Sequence, residues 1–129
     1  MSQDAGLTIA GQAGIRITAT RLNTSLVLTV RGPQGVMGEI ELDNQEVIAW
    51  ARTLSSYLLE HPPMRGAVTP AFRIDGAIGH YVKVKDLGLA TPRILVELAV
   101  RGKWWQELKL EELDFVVWLR QLSGDLGDR

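Results

Sequence analysis

The chain has 129 residues, of which 46% are hydrophobic and 22% charged, with a formal net charge of −1, as in one globular domain. The absence of Cys excludes disulfides and thiolate catalysis. No apolar run approaches the roughly 18 residues of a membrane span. Residues 1–14 lack the basic stretch and long apolar segment of a signal peptide, so we expect a cytoplasmic protein.

The first half of the chain predicts four short strands and a helix. Apolar and polar residues alternate with period two between glycine-containing turns, which predicts strands at residues 7–10, 15–21, 26–31 and 36–42. Asp43 and Glu46 have the spacing of a capping box, which predicts a helix start. Val47, Ala51, Leu54 and Leu58 form one apolar face of that helix, together with Trp50.

The second half repeats the pattern after a connection at 61–71 that contains prolines. Strands are predicted at 72–75, 80–87, 93–101 and 104–110, followed by a helix over about 111–122. Glu111 stands where Asp43 stands in the first half, so the second helix has a weaker cap. We therefore predict a single domain, 1–129, made of two repeats at about 7–60 and 72–123.

Local sequence matches indicate an internal duplication. Val-Arg-Gly occurs at 30–32 and again at 100–102, an offset of 70. Upstream the offset is 65 and aligns Gly11 with Gly76, while downstream it is 68 and aligns Trp50 with Trp118. The alternative is that any two hairpin-plus-helix units share such a pattern.

Neither repeat buries enough surface to fold alone, since about 55 residues with one helix cover only one sheet face. The predicted fold class is therefore α+β, with tandem ββββα repeats forming two antiparallel sheets and two helices around a pseudo-twofold axis.

Strand alternation separates a helix-covered face from an open face in each predicted sheet. The predicted covered residues are Leu7, Ile9, Ile17, Ala19, Leu26, Leu28, Val30, Ile40, Leu42, Phe72, Ile74, Val82, Val84, Val96, Leu98, Val100, Leu108 and Leu110. The predicted open-face residues are Arg16, Thr18, Thr20, Thr29, Arg31, Met37, Arg73, Tyr81, Lys83, Lys85, Arg101 and Trp105.

The net charge hides a separation along the chain. Residues 6–38 and 71–105 each carry +3, whereas the helix-bearing blocks 39–60 and 106–129 carry −4 and −3. This distribution predicts a positive side and a negative side, and a positive surface attracts polyanions whatever the total charge.

Basic and aromatic residues on one open face are typical of single-stranded nucleic-acid binding, because cations contact phosphates and aromatic rings stack on unpaired bases. The predicted binding residues are Arg16, Arg31, Arg73, Tyr81, Lys83, Lys85, Arg101, Lys103 and Trp105. Two alternatives stay open: an ordinary solvated sheet face, and a homodimer contact that includes Trp105 and Met37.

The two ββββα units, spanning residues 7–122, resemble the Whirly, PUR and PC4-like group of nucleic-acid-binding proteins. The resemblance rests on topology and patterning and has no diagnostic residue string. It implies that a sheet surface binds single-stranded DNA or RNA and that the protein assembles into dimers or larger homo-oligomers.

No residue pattern indicates an enzyme, a metal site or a cofactor. His61 and His80 lack metal-ligand spacing. His80 aligns with Ile15, so we expect His80 to be a tolerated residue at a barrel edge and not a ligand or a base. Ser55 and Ser56 have no His at helical spacing. The function predicted is thus non-catalytic, and the rival to nucleic-acid binding is a protein-interaction module, such as a phage-encoded or immunity-type regulator.

Overall fold

The computed structural model describes residues 6–61, 71–77, 79–100 and 103–124. The first repeat contains β1 (Leu7–Ala10), β2 (Arg16–Leu22), β3 (Ser25–Gly32), β4 (Gly35–Asp43) and α1 (Asn44–Glu60). The second repeat contains β5 (Ala71–Asp75), β6 (His80–Asp86), β7 (Ile94–Val100), β8 (Trp104–Leu110) and α2 (Glu112–Gly124). The predicted α+β class is confirmed, since each repeat forms a four-stranded antiparallel sheet in sequence order.

Local chemistry explains where the first repeat turns and where its helix begins. Asn23 has φ 51°, a left-handed conformation that Asn tolerates, in the two-residue turn between β2 and β3. The Asp43 side chain accepts a hydrogen bond from the Glu46 N–H at 3.0 Å, which caps α1 as predicted.

One hydrophobic core includes residues from both repeats. The predicted covered residues are buried, apart from Leu7 and Phe72, which are half-buried and pack against that core. The helices contact each other, and each also contacts the first strand of the other repeat, α2 against β1 and α1 against β5. Neither described helix is long and apolar enough to cross a membrane.

Two aligned glycines mark reciprocal contacts between the repeats. A Cβ at Gly11 would lie 2.5 Å from Leu108 Cδ1 on β8, and a Cβ at Gly76 would meet the Glu41 carbonyl on β4. Each turn therefore packs closely on the last strand of the other repeat. This exchange is the contact expected of two duplicated units related by a pseudo-twofold.

The face prediction for Met37 is wrong because a β-bulge shifts the register between β3 and β4. Val30 pairs with Gly38, but Arg31 pairs with Val36, so Val36 occupies the open-face position beside Arg31. A Cβ at Gly32 would lie 2.9 Å from Met37 Sδ, which puts the Met37 side chain on the face opposite to that of Arg31.

His80 joins the two sheets at the edge of β4. Its Nδ1 accepts a hydrogen bond from the Glu41 N–H at 3.0 Å, and the Ala77 N–H donates to the Glu41 carbonyl at 3.2 Å. The turn before β6 thus satisfies backbone groups that an edge strand would otherwise expose. The sequence predicted an edge position for His80 but not this bond.

Replacing His80 with Ala is expected to lower the free energy of unfolding by about 1 kcal/mol, because the Glu41 N–H loses its acceptor. His80→Asn should cost less, since Asn Oδ1 can take the place of His Nδ1. Urea denaturation of the three proteins provides the measurement. Equal stability losses for the two variants would contradict a role for the hydrogen bond.

A buried ion pair connects the turn after β6 to both helices. Arg93 Nε and Nη2 donate to the Asp86 carboxylate at 2.6 and 2.7 Å, and both residues are buried. Arg93 also contacts Glu112 at the start of α2, at 2.8 Å, while Tyr57 of α1 donates to Asp86 at 3.2 Å. These contacts fix the position of this end of the second sheet.

Candidate nucleic-acid interface

The open face of the second sheet consists of three rows of side chains that run across its four strands. Strand register defines the rows as Arg73–Lys83–Glu97–Glu107, Asp75–Tyr81–Ala99–Trp105 and, over β6 to β8, Lys85–Leu95–Lys109. Trp105 is 54% exposed, the largest aromatic surface on this face. This exposure agrees with the open-face position predicted for Trp105.

Glu97 accepts a hydrogen bond from an aromatic side chain of this face. The Tyr81 hydroxyl donates to Glu97 Oε2 at 2.5 Å. That bond is the largest cause that lowers the pKa of Glu97, followed by a hydrogen bond from Trp105, with Lys83 and Lys85 contributing and partial burial opposing. The Tyr81 side chain is thus fixed by a carboxylate on β7.

Arg73 covers part of Tyr81. Its guanidinium carbon lies 4.2 Å from the centroid of the Tyr81 ring, a cation–π distance. Arg73 also pairs with Asp75, with Nη2 2.9 Å from Oδ1, and the hydrogen bond to Asp75 is the main cause that raises the pKa of Arg73. One face of the Tyr81 ring is therefore occupied, which leaves Trp105 as the more accessible stacking surface.

The structure brings together five of the nine predicted binding residues, on the open face of β5, β6 and β8: Arg73, Tyr81, Lys83, Lys85 and Trp105. Arg16 and Arg31 lie opposite each other on the first sheet, between β2 and β3. Lys103 is exposed in the turn before β8. Arg101 lies outside the described residues.

The sequence interpretation missed four charged residues on the same face: Asp75, Glu97, Glu107 and Lys109. The alternation that placed Leu98 and Leu108 in the core also places Glu97 and Glu107 on the open face. The described face therefore carries four basic and three acidic side chains, or +1, since Arg73, Lys83, Lys85 and Lys109 oppose Asp75, Glu97 and Glu107.

The first sheet is similarly balanced. Arg16 and Arg31 share its open face with Glu39 and Glu41 of β4. The predicted separation of charge between strands and helices is therefore overstated, because β4 and β8 extend into the blocks that were counted with the helices.

In the part of the chain that the structure describes, no three His, Asp or Glu side chains cluster in a way that could hold a metal ion. The site is thus an open surface of cations, carboxylates and two aromatic rings. Such a surface has the groups needed for ionic contacts, hydrogen bonds and stacking.

Comparison with known proteins does not assign the chain to a family. No model of a known protein family matches the chain, and no curated protein matches its sequence.

Proposed function

We propose that the protein binds single-stranded DNA or RNA, without catalysis, through the open face of β5–β8. The observation that supports this proposal is the exposed Trp105 ring on the same face as Lys83, Lys85 and Lys109. Aromatic side chains stack on unpaired bases, each stack contributing roughly 1–3 kcal/mol, while lysines contact the phosphates. A duplex hides its base faces, so a stacking surface favours single strands.

The charge balance of the face limits the expected affinity. Among the described residues, four basic side chains lie on this face and can make four phosphate contacts, which corresponds to a slope of log K against log salt of about −3. Glu97 and Glu107 lie in the same row as Arg73 and Lys83, where their negative charges oppose phosphate binding. We therefore expect modest binding at low salt that weakens as salt increases.

The proposal retains the cytoplasmic location and the homo-oligomeric state expected from the sequence, and the likeness to the Whirly group stays a prediction. Light scattering at several protein concentrations measures the oligomeric state independently of nucleic acid.

Trp105→Ala is expected to weaken binding of a labelled, unstructured single-stranded oligonucleotide by about 5- to 150-fold, corresponding to the loss of one base stack. Lys83→Ala should weaken binding less and should lower the salt slope by about 0.7. Fluorescence anisotropy at low and moderate salt measures both effects. Trp105→Phe is expected to retain most of the affinity because it keeps an aromatic face.

Arg120→Ala is the matched control, because Arg120 is an exposed cation on α2, away from the open sheet face. It should leave the affinity nearly unchanged. Absence of binding at low salt would contradict the proposal, as would equal losses for Arg120→Ala and Lys83→Ala. Either result would favour the protein-interaction alternative.

A further inference from the structure

A groove separates the edge of β1 from α2, on a different part of the molecule from the candidate nucleic-acid interface. It encloses about 350 Å³ between residues 8–10 of the strand and helix residues that include Leu113, Val117 and Trp118. The Trp118 Nε1–H donates to the Leu7 carbonyl at 3.0 Å, which ties the helix to the start of the strand. The groove therefore has a strand for one wall and a helix for the other.

The strand wall presents backbone groups that no other described strand pairs. Among the described strands, β1 lies at the edge of its sheet and pairs with β2. The Gly11 N–H donates to the Ile15 carbonyl at 2.8 Å, and backbone groups alternate in direction along an antiparallel strand. Ile9 therefore also faces β2, whereas the N–H and C=O groups of Thr8 and Ala10, which line the groove, point away from β2. These groups are the donors and acceptors that an added strand would use.

The helix wall is apolar where a solvated helix would be polar. Leu113 and Val117, one turn apart, are 75% and 48% exposed and line the groove. At the aligned positions of α1 stand Gln45 and Ala49. The large apolar side chains are therefore particular to the second helix, and the duplicated architecture does not explain them.

The charge of the groove indicates the chemistry of its occupant. Asp114 lines the groove, is exposed, and forms no ion pair with any described residue. Glu111 lies close by, immediately before α2, while Glu112 is paired with Arg93. A second copy docked through β1 would bring two such acidic helix starts together, so a partner with basic side chains is favoured over self-association.

We propose that this groove binds an extended segment of a partner protein that adds one strand to the edge of β1. The segment has apolar residues at alternate positions, which contact Leu113 and Val117, and a Lys or Arg that pairs with Asp114. This is a definite form of the protein-interaction alternative, and it does not depend on nucleic-acid binding by the second sheet.

The test begins with a random decapeptide library displayed on phage and selected against the full chain. Enriched peptides are expected to alternate apolar residues and to include Lys or Arg. A synthetic peptide of the enriched sequence should bind Val117→Asp about tenfold more weakly, or worse, in fluorescence anisotropy. Asp114→Asn should weaken the binding of peptides that contain a basic residue.

Leu59→Asp is the matched control, because Leu59 is 62% exposed on α1 and does not line the groove. It should leave peptide affinity unchanged. N-methylation of a peptide amide that bonds β1 should abolish binding, whereas methylation of the next amide should be tolerated, a pattern specific to strand addition. Thermal unfolding of each variant verifies that it is folded.

Several results would overturn the proposal. It would be overturned if the library yielded no enriched peptide, or if the enriched peptides bound Val117→Asp as well as they bind the original protein. An equal effect of methylation at every peptide position would mean that no strand is added, and would also overturn the proposal. Self-association that Val117→Asp abolishes identifies a second copy as the occupant.

Discussion

Asp86→Asn is expected to lower the free energy of unfolding by about 3–5 kcal/mol, the cost of removing one partner from a buried ion pair. Arg93 is 4% exposed and donates two hydrogen bonds to the Asp86 carboxylate. Asp86 also accepts from the Gly88 N–H at 2.8 Å. A neutral amide leaves the guanidinium charge with Glu112 as its remaining carboxylate partner, which places the expected loss at the lower end of the range.

Urea denaturation measures this loss, and Asp75→Asn is the matched control. Asp75 also pairs with an arginine, Arg73, but both side chains are exposed, so the control should cost far less than Asp86→Asn. Asp86→Asn combined with Arg93→Met should be less destabilising than Asp86→Asn alone, because no charge is then left buried. A loss for Asp86→Asn no larger than that for Asp75→Asn would refute the role of the pair.

The same substitution changes the acid sensitivity of the protein. The hydrogen bonds from Arg93 are the largest cause that holds the pKa of Asp86 below its usual value, with burial opposing. The native state therefore binds fewer protons than the unfolded state, whose Asp pKa is about 3.9, so stability rises with pH across this window. The contribution is complete above about pH 5 and is lost as pH falls through the folded pKa. The Asp86→Asn protein has no carboxyl group at this position, so its free energy of unfolding should fall less between about pH 5 and lower pH than that of the original protein.

Gly76→Ala is expected to lower the free energy of unfolding by about 3 kcal/mol, because the added methyl group has no space between the repeats. The new Cβ would overlap the Glu41 carbonyl oxygen of β4 and would lie 2.7 Å from Leu42 Cδ2. The carbonyl belongs to a backbone that is paired with β3 and bonded to Ala77. Relief therefore requires the two sheets to move apart.

Gly124→Ala is the control for the general effect of the substitution. Gly124 ends α2, and no heavy atom of the described residues lies within 4 Å of an added Cβ, so the effect of Gly124→Ala should stay within about 0.5 kcal/mol. Thermal or urea unfolding compares the two variants. Equal stability for the two variants would contradict the close contact between the repeats.

Most elements could be predicted because their signals are local. Period-two alternation depends only on which face each side chain occupies, and it located all eight strands to within one or two residues. Asp43 and Glu46 located the start of α1 because a cap bonds to its own helix. Met37 was predicted on the wrong face because a bulge arises from the pairing of two strands, and the alternation of residues along one strand carries no information about that pairing.

The candidate interface was predicted as a face but not as a set of contacts. Alternation placed Tyr81, Lys83 and Trp105 together, and the strand register agrees. Charge sums over blocks of sequence concealed Glu97 and Glu107, since a block includes both faces of its strands. The hydrogen bond from Tyr81 to Glu97 joins two strands across 16 residues of sequence, so no short stretch of sequence contains it.

The sequence by itself determined the ββββα pattern of each half, the core-facing residues and, apart from Met37, the open faces, because each follows from the short repeat of strand or helix geometry. Only the tertiary structure decided what meets across the repeats. His80 bonds to Glu41, Gly76 packs on β4, and Trp118 reaches Leu7 from 111 residues away. Such contacts depend on how the two units dock, and the groove beside β1 exists only because that docking sets α2 against the edge of the first sheet.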